Sequence, residues 1–192
     1  MNNISLFITK NLARDGKDAI PEIQALRDVV ENNPWHKDQS VFEHTKLVVE
    51  ALKKYTDNEL LLLATLFHDI AKPCTFFRDE KTVMTICVDH EKKGSEMMDT
   101  IGPRIGLTEK DLSYVKRIIK HHDMPHILVN NIVEQKDVER LKNDYFTKTG
   151  NLAQDLLLHA RADMEGSSLS EINSELFEKR KKIIEELMSC RT

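Results

Sequence analysis

The stretch Glu59-Leu60-Leu61-Leu62-Leu63-Ala64-Thr65-Leu66-Phe67-His68-Asp69-Ile70-Ala71-Lys72 decides the fold and points at the chemistry. A surface helix is apolar along one stripe, whereas four consecutive leucines put apolar side chains all round the axis. Residues Glu59 to Ala71 therefore predict a central helix buried on every side, which needs other helices around it. It also ends in His68 and Asp69, a pair that a buried segment does not carry without partners.

The flanking sequence supplies the surrounding helices. Ser40 and Glu43 read as a capping box, in which each side chain satisfies a free backbone donor of the other residue. It opens a helix to about Tyr55 whose inward face is Val41, His44, Val48, Ala51 or Leu52, and Tyr55. His90 opens another that ends near Gly102-Pro103, and Thr108 with Asp111 starts a third. One face of that third helix carries Leu112, Val115, Ile118 or Ile119, and His122, with His121 beside it. A helix from about Val133 to Lys148 stops at Gly150, a residue able to take the left-handed conformation. Asn151 and Gln154 cap the next, where Leu152, Leu156, His159 and Asp163 share a stripe, and a last helix runs from Ser170 to about Met188. The segment from Thr75 to Ile86 reads as a short hairpin.

Composition agrees with a helical protein. With 6 glycines and 5 prolines in 192 residues, turn-forming residues are scarce, which disfavours turn-rich β architectures and disordered linkers. No linker or repeat divides the chain, so the expectation is a single all-α domain over 1–192, of six to eight helices with room for one hairpin near 75–86. The balance of 28 Lys+Arg against 32 Asp+Glu, net charge −4, is not that of a surface built to hold polyanions nonspecifically. The one basic cluster, Lys179-Arg180-Lys181-Lys182, reads as a solvated helix face. Cys74, Cys87 and Cys190 are odd in number and widely spaced, which suits inert thiols better than a disulfide framework or a thiolate zinc site. The uncharged run Leu60–Phe67 falls far short of the roughly 20 residues of a membrane span. The apolar stretch Ile4-Ser5-Leu6-Phe7-Ile8 lacks a small-residue cleavage site, so the expected compartment is cytoplasmic and no membrane partner is expected.

Four inward stripes carry a metal-type ligand where leucine would be expected: His44, His68 with Asp69, His121 with His122, and Asp163. Each has a structural reading by itself, as a satisfied core histidine, a helix-end pair or a helix terminator. Their coincidence carries the argument, because two acids buried beside several imidazoles need a cation to neutralise them. A mixed nitrogen and oxygen set suits first-row divalent ions, and the two oxygens of Asp69 can bridge a pair of them.

The order His44, then His68-Asp69 in Leu66-Phe67-His68-Asp69-Ile70-Ala71-Lys72, then Asp163 in Arg161-Ala162-Asp163, resembles the HD superfamily of metal-dependent phosphohydrolases. His90 in Asp89-His90-Glu91-Lys92-Lys93-Gly94 and the His121-His122 pair fill the positions of members with extra histidines. The resemblance covers about Trp35 to Asp163. Asn33-Pro34-Trp35-His36, Val41-Phe42-Glu43-His44-Thr45 and His90-Glu91-Lys92-Lys93-Gly94 look like the HD domain attached to bacterial CCA-adding tRNA nucleotidyltransferases, here expected to stand alone. Met124-Pro125-His126 departs from the Gly-Tyr-Pro pattern of cyclic di-GMP phosphodiesterases, and Ile70-Ala71-Lys72 departs from the acid that alarmone hydrolases and small 5′-nucleotidases have after His-Asp.

The resemblance implies a compact helical bundle in which His44, His68, Asp69 and Asp163 hold one divalent ion and His90, His121 and His122 a second, with Asp69 as the catalytic bridge. The ion or ions would be Mn, Fe, Co, Ni, Zn or Mg, activating hydroxide for displacement at phosphorus. Lys72 would neutralise charge on the transferring phosphate, although it reads equally as a surface cation near a helix C-terminus. The implied activity is a phosphomonoesterase or phosphodiesterase on a small phosphate ester of nucleotide or 2′,3′-cyclic nucleotide type. The rival reading is a noncatalytic nucleotide- or metal-binding sensor, and action on an RNA end would require a basic groove that the net charge does not support. His36, Asp123, His126 and His159 are candidates to orient ligands, Trp35 is core or a lid, and Arg161 points toward structural ion pairing.

Overall fold

The computed structural model describes residues 3–134 and 137–190. The helices are α1 (Ile4–Asn11), α2 (Pro21–Ala25), α3 (Val41–Leu52), α4 (Glu59–Leu66), α5 (Lys72–Thr75), α6 (His90–Arg104), α7 (Glu109–His121), α8 (Met124–Val133), α9 (Val138–Thr149), α10 (Ala153–Gly166), α11 (Leu169–Ile172) and α12 (Ser174–Ser189). Four short strands, β1 (Val30–Asn32), β2 (Lys37–Ser40), β3 (Phe76–Arg78) and β4 (Thr85–Cys87), form two antiparallel pairs. Among the described residues, nine helices reach eight residues or more, against the six to eight expected. The N-terminal α1 and the segment α8 account for the excess. No helix among the described residues is long and apolar enough to cross a membrane.

The leucine-rich segment is the centre of the molecule. Asn58 caps α4 by accepting from the Leu60 and Leu61 amides, and Leu61, Leu63 and Leu66 have no exposed surface. Full burial of each such leucine contributes about 1.5–3 kcal/mol. The helix stops at Leu66 rather than Ala71, which corrects the sequence reading. Pro73, which lacks an amide hydrogen, sits in the first turn of α5, where a new short helix opens at Lys72. After Leu66 the chain tightens through bonds from Phe67 N to Ala64 O (3.1 Å) and His68 N to Thr65 O (3.4 Å). His68 and Asp69 consequently leave from a turn.

Two apolar clusters share α10. The larger is built from α1, α3, α4, α6 and α7, and the smaller from α8, α9 and α12. Where α10 crosses α3, Gly166 is required by proximity: a Cβ there would lie 2.8 Å from the Val48 backbone nitrogen. The Gly166 carbonyl, freed at the helix end, accepts from Gln39 Nε2 at 2.9 Å.

The β3–β4 hairpin sits where the sequence predicts one, with Phe77 opposite Ile86. The β1–β2 pair has no such signature, since Lys37-Asp38-Gln39-Ser40 does not alternate. It turns Glu31 inward, to 4% exposure, and Asn32 N donates to Thr85 Oγ1 (2.9 Å) to tie the two hairpins together.

Other boundaries differ from the sequence reading. Ser40 caps α3 through the Glu43 amide (3.1 Å), but the Glu43 carboxylate pairs with Lys46, so the box is one-sided. Asn151 and Gln154 do not cap α10, which follows a short 3₁₀ turn at Gly150–Leu152 without a side-chain cap. The helix expected from Val133 begins at Val138, capped by Asp137. The last helix is split at Asn173, which caps α12 by accepting from Leu176 N. Cys74 and Cys190 are exposed rather than buried, and all three thiols are free.

Candidate metal centre

Four imidazoles converge on one cavity of about 320 Å³ from four different elements. His44 comes from α3, His68 from the turn after α4, His90 from the start of α6 and His122 from the residue after α7. Each presents Nδ1 to a backbone carbonyl: His44 to Gly166 O (3.3 Å), His68 to Thr65 O (2.7 Å), His90 to Cys87 O (3.0 Å) and His122 to Ile119 O (2.7 Å). A carbonyl only accepts, so Nδ1 carries a proton in each ring, and Nε2, the nitrogen that can offer a lone pair to a cation, is aimed into the cavity. Those nitrogens face each other, with 3.4 Å between the Nε2 atoms of His68 and His44 and 3.2 Å between those of His90 and His122.

Two carboxylates complete the arrangement. Asp69 divides its oxygens: Oδ2 lies 3.1 Å from His68 Nε2 and 3.7 Å from His44 Nε2, while Oδ1 lies 3.3 Å from His90 Nε2 and 3.9 Å from His122 Nε2. Asp163 Oδ1 approaches His44 Nε2 (2.9 Å) and His68 Nε2 (3.6 Å). Two groups result, His44/His68/Asp163 and Asp69/His90/His122, and within each the ligand atoms lie within 4.8 Å of one another. Asp123 flanks the second, its carboxylate oxygens 3.5 Å from His122 and 3.8 Å from His90.

The residues fit a divalent cation on their own chemistry. Asp163 Oδ1 is buried without a hydrogen-bond partner, beside the Nε2 atoms of His44 and His68 with which it would share a cation. Glu31, Asp69, Asp123 and Asp163 line the cavity against two fixed cations, Lys72 and Arg180. Burial alone would push Asp69 up, but His68 and Lys72 outweigh it and hold the carboxyl well below its usual range. Burial likewise opposes ionisation of Asp163, which the surrounding histidines His126, His44 and His68 hold well below its usual range. The reciprocal effect lifts His68 to about 10 against the burial that lowers it, through Asp69 and Asp163. Burial takes His122 the other way, to about 4. A proton on His68 and a cation among His44, His68 and Asp163 are alternative ways to cancel the same charge.

Lys72 is buried, and its ammonium is held by Glu31 Oε2 (2.8 Å) and Asp69 Oδ2 (2.9 Å). It clamps the Asp69 carboxylate at the cavity wall, and its burial excludes the surface-cation reading. His36 lies 3.8 Å from the same Glu31 oxygen and packs its ring 4.5 Å from that of His44. His159 packs behind His68 without lining the cavity, bonded to Thr65 Oγ1 (3.0 Å) with its ring 5.0 Å from that of His68, and burial keeps it neutral. His126 Nε2 faces Asp163 Oδ2 at 2.8 Å. His121 does not line the cavity. Successive helical residues point about 100° apart, so α7 brings only one of the adjacent pair inward, and that one is His122.

Two charged residues of the cavity wall were missed by the sequence reading, Glu31 and Arg180. Glu31 had no signal, being a lone acid whose inward turn depends on β1 pairing with β2. Arg180 had one: Phe177, Arg180, Ile184 and Leu187 keep helical spacing, so Arg180 sits on an apolar stripe just as Asp163 does. It is 2% exposed, not part of a solvated face, while Lys179 and Lys182 are exposed. Arg161 pairs with Glu165 (2.7 Å) and Glu185 (2.6 Å) outside the cavity.

Comparison with known proteins agrees with this architecture. The A-adding tRNA nucleotidyltransferase of Deinococcus radiodurans is 30% identical over 158 residues, 80% of this chain and 34% of that protein. The multifunctional CCA proteins of Psychromonas ingrahamii and Shewanella frigidimarina are 27% and 26% identical over 106 and 150 residues, 55% and 76% of this chain and 25% and 34% of theirs. The chain thus spans about a third or less of the length of these relatives. A family model for the HD domain matches residues 41–184, a span that opens at α3 just before His44 and closes in α12 beyond Arg180. Since both ligand groups fall inside that match, on the elements that converge at the cavity, the chain belongs to the HD domain family.

Proposed function

We propose that this chain is a divalent-metal-dependent phosphohydrolase acting on a phosphate ester of nucleotide type, such as a 2′,3′-cyclic or terminal nucleotide phosphate. The observation that carries the reading is the division of Asp69, whose two oxygens serve two separate groups of imidazole nitrogens. Such a carboxylate is arranged to be shared by two cations. His44, His68 and Asp163 would hold one and His90 and His122 the other, with Asp123 beside the second. Divalent ions held there supply charge neutralisation at a phosphoryl group and acidify water, the chemistry of hydrolytic displacement at phosphorus.

The chain's own residues prepare that chemistry. Backbone carbonyls hold Nδ1 of each imidazole and so fix the ring with Nε2 turned to the cavity, where His68 need only give up its second proton to a cation. Lys72, locked by Glu31, keeps Asp69 ionised in its buried setting. His126 steadies the outer oxygen of Asp163. The kinship with multifunctional CCA proteins supports a nucleotide-type substrate.

Protein purified without chelator and reconstituted with excess Mn²⁺ or Ni²⁺ is desalted and its metal counted, then offered nucleoside 2′,3′-cyclic phosphates and nucleotide monoesters. Two ions per chain and release of phosphate or opening of the cyclic ester are expected. Metal bound without hydrolysis of any member, or no metal under either condition, would remove the hydrolase and leave the noncatalytic binding module.

A further inference from the structure

The phosphate of the proposed substrate needs a cationic partner, and Lys72 is committed to Glu31 and Asp69. The other fixed cation of the cavity wall, Arg180, is in a different state. Among the described residues no carboxylate pairs with it. Its guanidinium donates to Asn130 Oδ1 and to His126 Nδ1 (3.2 Å) and stacks 4.6 Å from the centre of the Trp35 ring, all neutral partners, and its Nε is buried without an acceptor. Asp163 is the nearby acid, but the His126 ring stands between the two.

A guanidinium offers five donors in a planar fork and does not shed its charge in a protein. Holding that charge at 2% exposure with no ion pair among the described residues is unfavourable, and an anionic ligand would offset the burial. The stack on Trp35 and the bond to Asn130 also fix the fork before any ligand arrives. We propose that Arg180 is the oxyanion-recognition residue of this cavity, receiving phosphate oxygens of the ligand that the metal ligands do not. The inference rests on the phosphoester reading, and it assigns a binding role to α12.

The test titrates inorganic phosphate into Mn²⁺-loaded wild-type protein, Arg180→Gln and Arg180→Lys by calorimetry, with Mn²⁺ content measured for each. A charge-assisted fork is worth about tenfold or more in affinity, so Arg180→Gln should weaken phosphate binding at least tenfold while Mn²⁺ stoichiometry stays unchanged. Arg180→Lys, which keeps the charge but loses the fork, should fall between. Equal phosphate affinity in wild type and Arg180→Gln overturns the proposal. Should Arg180→Gln fail to fold, unweakened binding by Arg180→Lys overturns it instead. The two readings fail separately: phosphate binding that depends on Arg180 without any hydrolysis keeps the anion site and removes the hydrolase, whereas hydrolysis with phosphate affinity indifferent to Arg180 does the reverse.

Discussion

Gly166→Ala tests whether helix packing, at a residue without a side chain, sets the metal site. The added Cβ would lie 2.6 Å from Val48 Cγ2 and 2.8 Å from Val48 N, where ordinary contact starts at 3.4 Å. The valine side chain can rotate but its backbone nitrogen cannot, so α10 has to back off α3 by roughly half an ångström, an overpacking that costs about 1–3 kcal/mol. For a chain of this size each kcal/mol lowers Tm by about 2–4 °C, so the metal-free protein should melt about 6 °C lower. The same shift moves the Gly166 carbonyl away from His44 Nδ1, already at 3.3 Å, and out of hydrogen-bond range. Loss of the group that orients a ligating histidine typically costs ten- to a hundredfold in metal affinity. The assay is thermal denaturation in chelator, followed by Mn²⁺ titration of the folded protein. Gly150→Ala is the control: nothing lies within 4 Å of its Cβ, but its φ of +53° strains any side chain, so it should lower Tm and leave metal affinity alone. An unchanged Tm and Mn²⁺ affinity in Gly166→Ala, or equal loss of affinity in both variants, would refute the reasoning.

Other perturbations give separate readouts. Asp69→Asn removes the shared carboxylate and should cut turnover more than a hundredfold with bound Mn²⁺ falling below half; full metal content by elemental analysis would contradict the bridging role. Lys72→Met removes the buried cation shared by Glu31 and Asp69, a loss of about 3–5 kcal/mol by denaturant titration, and the double variant Glu31→Gln/Lys72→Met should recover the part due to Glu31 while Asp69 stays uncompensated. If the double variant is no more stable than the single, the pair is not the cause. His68 is raised to about 10 in the folded metal-free protein from the ordinary value near 6.5, so its contribution to stability is fully present below about pH 6.5 and lost as pH climbs toward 10. The depressed Asp69 and Asp163 act oppositely, stabilising above about pH 3.9 and less as pH falls through their lowered values. Mn²⁺ binding at neutral pH should expel the His68 proton, giving calorimetric heats that vary with buffer ionisation enthalpy; buffer-independent heats would count against a protonated His68.

Much of the architecture was legible because it rests on local pattern. The leucine run marks a helix apolar all round, and Asp163 on the stripe of Leu152 and Leu156 marks an inward acid. The same test applied to α12 would have found Arg180 between Phe177 and Ile184, where four consecutive basic residues instead suggested a solvated face. The end of α4 was misplaced because helix propensity extends through Ile70-Ala71, whereas the chain tightens into a turn at Phe67 and His68.

The chain by itself determines which residue types sit on which faces, since helical periodicity is a property of three to four neighbouring positions. It therefore determined His44, His68, Asp69, His122 and Asp163 as inward groups, and the order that marks the family. Only the tertiary structure decided how they divide. Which oxygen of Asp69 meets which imidazole, the carbonyl that orients each ring, the capture of Lys72 by Glu31 from a strand 41 residues away, and the neutral partners His126 and Asn130 at Arg180 all follow from elements brought together across long stretches of chain. Distances of this kind depend on how helices cross, as at Gly166 and Val48, and no local spacing in the sequence encodes them.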